Sequence, residues 1–407
     1  DGVLTPGKVT EIKGIGNKSF YLRDQELWVS DSEENLVLVY DKETMKIKFQ
    51  IITPFFDPQA IVFYEDKPYV LYGGEVHETS YGQKCWQEQK PFFHQLKYAL
   101  HEGEGYNYTL SNAFLVEFTY EEHLEKVDLK YPELKIKIAL PVNNIRQQVV
   151  HVESAGLKGQ IKDGFLEVNL KNLREDSIGF VGYRADVVLS SVKYTFDKDY
   201  NQSVFPVESY HVEIDEIDLD QPKLIDMAAV SGSGMLQNML EIRNKVFDKL
   251  TYRFNNSARN YVELLEDGYG TCGDYATIIL MLAMINKYPV RTCGGYKVPR
   301  FVNSQQDLRS CYYNHTWLEI YLPDTGWVPI ESSSDDKAFN NRLCEGQFLG
   351  LDWSHIQTHN DKSVPNLISA HDGKEDVHPF DLFRNVTFMK IKGEISDLET
   401  LVFDAKG

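Results

Sequence analysis

Tyr269-Gly270-Thr271-Cys272-Gly273-Asp274-Tyr275-Ala276, running on into Thr277-Ile278-Ile279-Leu280-Met281-Leu282-Ala283-Met284-Ile285, is the stretch on which the fold turns. Gly270, Thr271 and Gly273 mark a turn, and Ala276 to Ile285 is almost wholly apolar. That run is too short to cross a membrane, which takes about 20 residues. A helix apolar on every side is one buried in a core. Lys287 and Pro289 end it. Cys272 therefore falls in the first turn of a buried helix, where unpaired amide donors and the positive end of the macrodipole face its sulfur. Such a setting favours thiolate over thiol.

A thiolate nucleophile works with a base, and the base with a group that orients it. His315 is the candidate base. It lies in Cys311-Tyr312-Tyr313-Asn314-His315-Thr316-Trp317-Leu318-Glu319-Ile320-Tyr321, whose β-branched and aromatic content reads as a strand. Pro323-Asp324-Thr325-Gly326 reads as the turn of a hairpin, and Gly326-Trp327-Val328-Pro329-Ile330-Glu331 as its second strand. Glu331 is the candidate acid. Taken singly, each residue has a plainer account: a structural thiol, a satisfied core histidine, a solvated carboxylate at a strand end. Their joint order and spacing point to chemistry. Asp335 and Asp336, after Ser332-Ser333-Ser334, are alternative acids that lie beyond the strand.

The order Tyr-Gly-x-Cys, His-x-Trp-x-Glu-x-Tyr and Gly-Trp-x-Pro-x-acid resembles the transglutaminase-like superfamily, from Gly234 to Gly350. That group includes protein cross-linkers, microbial peptidase-like proteins and peptide N-glycanases. The resemblance implies an α+β fold with a papain-like core, and a Cys272–His315–Glu331 triad. It implies thiol-dependent acyl transfer or hydrolysis at a glutamine side chain or peptide amide of a protein or peptide substrate, with no cofactor and no metal. Two departures stand out. The family's acid is usually aspartate, one methylene shorter than Glu331. Gly273 stands where the mammalian cross-linkers carry tryptophan. The alternative reading is an inert core, with the β domains recognising a protein or polysaccharide.

The chain of 407 residues carries a net charge of −19. A nucleic-acid-binding face needs an excess of Lys and Arg, so nucleic acid is not expected as a partner. No segment reaches membrane-spanning length. The chain opens at Asp1 without a charged-then-apolar leader, and reads as the trimmed form of an exported protein: periplasmic, cell-surface or secreted. Six Asn-x-Ser/Thr sequons occur, at Asn17, Asn107, Asn201, Asn255, Asn314 and Asn385. A glycan on Asn314 would obstruct the adjacent base, which favours an organism that leaves such sites bare. With Cys272 reactive, Cys85, Cys293, Cys311 and Cys344 remain. Cys293 and Cys311 are expected either to bridge across two strands or to stay as reduced buried thiols.

Four segments are expected. Residues 1–100 read as β-rich, with hairpins around Asp41–Thr44 and Glu65–Lys67; in the first, Ile47, Phe49 and Ile51 alternate onto one face. A loop at Glu102–Tyr108 leads into 101–222, a β-sandwich with a turn at Asp163-Gly164 and an acidic connector over His211–Pro222. The catalytic core, 223–350, opens with a helix over Met235–Tyr252 whose apolar stripe is Met235, Met239, Ile242, Val246 and Leu250. Residues 351–407 read as a tail packed on the core, with Asp372–Asp376 near the rim of the site and a last strand at Val386–Lys392. His355 and His359 have metal-ligand spacing for a helix. Asn360, Asp361 and Pro365 instead suggest a loop there, and no metal is assigned.

Overall fold

Strands dominate the molecule, and one long sheet joins its two halves. The computed structural model describes residues 11–73, 90–124, 131–171, 179–197, 200, 219–253, 261–297, 308–310, 314–336, 338–339, 342–361, 368–377 and 384–398. Cys85, Cys311, most of the acidic connector, Asn201, Asn255 and His378 lie outside them.

At the N-terminal end, Asn17–Arg23, Glu26–Asp31, Leu36–Asp41 and Ile47–Ile52 form a four-stranded antiparallel sheet in chain order. Pro58–Tyr64, Lys67–Tyr72 and Phe92–Gln95 form a second, three-stranded sheet. Both expected hairpins are present. The alternation in Ile47–Ile52 holds only in part. Phe49 and Ile51 enter the large core, whereas a bulge opposite Val39 and Tyr40 turns Ile47 towards a smaller cluster with Leu38 and Ile52. A bulge adds one residue to one strand and so breaks the period of two.

The central sheet has eleven strands. Its spine is two long strands, Tyr106–His123 and Phe180–Phe196, paired over nearly their whole length. Residues expected as a loop at Glu102–Tyr108 instead form the tight turn of a hairpin between Tyr98–Gly103 and Tyr106–His123. Gly105 takes the positive φ of 76° that this turn requires. From Phe180–Phe196 the sheet continues through Gly350–Leu351, Gly326–Ile330, Asn314–Leu322, Val290–Lys297 and His355–Asp361.

A five-stranded sheet covers one face. In it Glu133–Ala139 pairs with Phe165–Lys171 across the turn at Asp163-Gly164, where φ is 49° and 78°. Its Leu134, Ile136, Ile138, Leu166 and Val168 share a core with Phe118, Tyr120, Tyr183 and Val187 of the spine. Residues after 351 join these sheets. Ile368–His371 pairs with Glu133–Ala139, and Arg384–Glu394 pairs with Tyr106–His123. The Asp372–Asp376 turn thus sits at the edge of the five-stranded sheet, not on the sheet that carries His315.

Four helices occur among the described residues: α1 (Pro222–Ala228), α2 (Met235–Lys249), α3 (Tyr261–Asp267) and α4 (Cys272–Ile285). The stripe of α2 is buried as expected. The helix stops at Lys249 rather than Tyr252, because Thr251–Tyr252 turns extended and pairs in parallel with Tyr269–Gly270. That short pairing fixes the chain two residues before Cys272. From Tyr275 to Ala283 only Thr277 of α4 escapes full burial, as expected for a helix apolar on every side.

Candidate active site

Cys272 is the first residue of α4. Asp274, in the same turn, accepts hydrogen bonds from the Thr271 amide at 2.7 Å and the Thr271 hydroxyl at 3.0 Å. This cap satisfies the entry to the helix at the residue before Cys272. The thiol is free and half-buried. Burial pushes its pKa up, but the charge and hydrogen bond of His315, with the Thr316 amide, outweigh burial and hold it below the ordinary thiol value.

His315 is buried, one residue into Asn314–Leu322, and pairs across to Gly295. In the same register Cys293 lies opposite Trp317 and is a free buried thiol, the reduced of the two expected states; Cys311 lies outside the described residues. Asp324 (φ 63°) and Gly326 (φ 87°) turn the chain into Gly326–Ile330, and Glu331 follows directly. The Glu331 amide donates to Gln347 O at 3.1 Å. Its Oε1 meets His315 Nε2 in a short hydrogen bond. Its Oε2 accepts from the Ser333 amide at 2.8 Å and from the Ser334 amide. Ser332 Oγ donates to Thr316 O at 2.7 Å, tying the acid's loop to the histidine strand.

Burial opposes charge on both partners. For His315, the Cys272 and Glu331 charges overcome it and raise the pKa. For Glu331, Lys297 and His315 overcome it and hold the carboxyl well below its usual range. His315 thus bonds Glu331, and Cys272 lies near enough to His315 for that charge to act on its thiol. The structure occupies the alternative acids elsewhere: Asp335 pairs with Arg243 at 3.0 Å, and Asp336 accepts from Tyr275 Oη at 2.5 Å.

The sequence reading missed His355. The expected loop is a strand, His355–Asp361, antiparallel to Val290–Lys297, with Lys297 opposite His355. The β-branched Ile356 and Thr358 were the available signal. His355 is fully buried; its Nδ1 lies 3.1 Å from Asp352 Oδ1 and its Nε2 3.9 Å from Glu331 Oε1. One donor atom each of His315, Glu331 and His355 falls within 4.8 Å of the others. His315 and Glu331 are joined by a hydrogen bond, whereas His355 Nε2 has no hydrogen-bond partner.

Residues 228–332, which contain all three expected side chains, match the family described as Transglutaminase-like superfamily, and this core is transglutaminase-like. A solved structure titled a "putative cysteine protease" from Cytophaga hutchinsonii is similar at 11% identity and a TM-score of 0.44, over 70% of this chain and 93% of that one. A "putative protease" from Parabacteroides distasonis is similar at 11% identity and a TM-score of 0.23, over 58% of this chain and 66% of that one. No curated protein matches the chain.

Proposed function

We propose that this transglutaminase-like chain performs thiol-dependent acyl transfer or hydrolysis on a carboxamide of a protein or peptide, either a glutamine side chain or a backbone amide. Cys272 is the nucleophile, His315 the proton carrier and Glu331 the orienting acid. The observation that carries this reading is a half-buried free thiol at a capped helix start, its pKa lowered by the charge of a neighbouring histidine that is itself hydrogen-bonded to a buried carboxylate.

The chemistry follows from those contacts. The thiolate attacks the amide carbon, and the carbonyl oxygen takes the electron pair as an oxyanion. Backbone amides at the start of the helix, including that of Cys272, stabilise that charge. His315 gives its proton to the departing nitrogen, the C–N bond breaks, and a thioester remains. His315, now neutral, takes a proton from water or an amine, which attacks the thioester and frees Cys272. Glu331 stays ionised throughout and stabilises the charged imidazole.

Iodoacetamide alkylation near neutral pH, mapped on each cysteine by mass spectrometry, tests this in the parent and in His315→Ala. Cys272 should react far faster than Cys293 and Cys344 in the parent and slow in the variant. Equal rates on all cysteines would reject the reading and leave an inert scaffold. Cys272→Ala should abolish turnover of amide substrates with the core still folded, and retained turnover would move the nucleophile elsewhere.

A further inference from the structure

Glu331 stands between two histidines. Oε1, which binds His315, also faces His355 Nε2 at 3.9 Å, and the two imidazole rings lie 5.3 Å apart. His355 Nε2 is buried with no hydrogen-bond partner of its own. The ring's aim is set from behind and from the side. Asp352 Oδ1 holds Nδ1 at 3.1 Å, and Trp317 packs edge-on at 5.4 Å. Asp352 is itself fixed, since its Oδ1 accepts the Ser354 amide at 2.8 Å.

We propose that His355, backed by Asp352, is a positioning residue: it fixes Glu331, and through it the His315 imidazole. The inference rests on the triad reading above. Its physical ground is the length of the acid. Glutamate has one more rotatable bond than aspartate, and so more freedom to lose on ordering. The Ser333 and Ser334 amides hold Oε2 but leave the carboxylate able to pivot about that oxygen. A second ring beside Oε1 closes the pivot. Glu331, one methylene longer than aspartate, places Oε1 beside both imidazoles. The charged groups around the pair are Lys297 and His315 on the Glu331 side and Asp352 on the His355 side, with the buried Arg146 acting on Asp352.

The test needs no substrate. The rate of Cys272 alkylation is followed against pH in the full chain with EDTA present. In His355→Leu, Glu331 loosens, supports the His315 charge less, and the thiolate is less favoured. The rise in rate should move to higher pH by about one unit, the scale on which one neighbouring charge acts. His355→Gln, which keeps a polar group with an amide N–H beside Oε1, should recover most of that shift. Asp352→Asn should move the profile the same way as His355→Leu, and carries the test if His355→Leu does not fold. A His355→Leu or Asp352→Asn profile that superimposes on the parent would overturn the proposal. So would equal shifts in His355→Leu and His355→Gln, which would mean packing alone. Loss of parent reactivity on adding EDTA would show that a cation, not a donor, joins the residues. A parent Cys272 no more reactive than Cys293 removes the triad reading, and this inference with it; a reactive Cys272 indifferent to position 355 removes the inference alone.

Discussion

At the scale of the residue, the site is three groups that hold one another's charge. The folded state depresses Glu331 and raises His315, so their contributions to stability have opposite pH limits. A depressed carboxyl stabilises above its unfolded pKa of about 4.3, and the gain is lost as pH falls through the folded value. A raised histidine stabilises below its unfolded pKa of about 6.5, and the gain is lost as pH rises through the folded value. Both are present between those limits. Glu331→Gln keeps the shape and removes the charge. Its loss of stability, read from urea midpoints across a pH series, should be largest in that window and shrink in stronger acid. A loss that did not vary with pH would show that the Glu331 charge is not what the fold uses. On a competent amide substrate the same variant should cut kcat by about two to four orders of magnitude, with KM little changed. Cys272→Ala should fall to background. The sequence made these three residues readable because each stands at a point where the chain declares its geometry: a helix start, a strand, the end of a hairpin. His355 was not readable, because its role depends on a partner some twenty residues back in sequence, at the end of a strand that two others separate from its own.

At the scale of the element, two devices set the distances. The first is the cap on α4. Asp274→Ala removes both hydrogen bonds to Thr271 and should cost about 1 kcal/mol. It should also slow Cys272 alkylation, because the first turn frays around the nucleophile; an unchanged rate would separate the cap from the site. The second is Val290–Lys297, which lies between the His315 strand and the His355 strand. A Cβ on Gly295 would come within 1.9 Å of Ile356 O, so the two strands approach as they do only because position 295 has no side chain. Gly295→Ala should destabilise by about 1–3 kcal/mol and displace His355 from Glu331. Equal urea midpoints for variant and parent would refute it. Composition and periodicity showed the long elements here, α4, α2 and the hairpin of His315 and Glu331, because each buries one continuous apolar face. They did not show the bulge near Gly294, the parallel pairing that ends α2 at Lys249, or the strand at His355–Asp361, since these are set by backbone pairing with distant segments. Cys293 illustrates the limit. Spacing left it as a bridge or a reduced thiol; the register puts Trp317 across from it, and it is free.

At the scale of the whole molecule, the N-terminal sheets share their core with Tyr296, Trp353 and Ile356 around His355, while α4, Trp317 and Ile330 pack in a second core. Trp353 sits in the first of these cores. Its ring is fully buried, packs on Phe114 of the spine at 4.5 Å, and donates from Nε1 to Pro54 O at 2.8 Å, while its amide donates to Ser191 Oγ at 3.0 Å. Two residues later the chain reaches His355. Thr109 and Ser111 of the spine add hydrogen bonds of 2.6 Å each to Gln50 O and Ile52 O of the first sheet. The Glu345 amide donates to Glu34 Oε1 at 3.0 Å, beside the loop whose Gln347 carbonyl receives the Glu331 amide. These contacts tie Glu34, Gln50, Ile52 and Pro54 to the spine and to the loops beside the acid. Trp353→Ala should therefore cost about 3–5 kcal/mol by leaving a large cavity, and should slow Cys272 alkylation although position 353 touches neither Cys272 nor His315. Trp353→Phe keeps most of the packing and loses the bond to Pro54, so it should cost about 1 kcal/mol and leave alkylation close to the parent rate. Urea unfolding followed by fluorescence, with alkylation measured under native conditions, reads both. A Trp353→Ala chain that loses stability yet alkylates at the parent rate would show that the sheets stabilise the molecule without shaping the site.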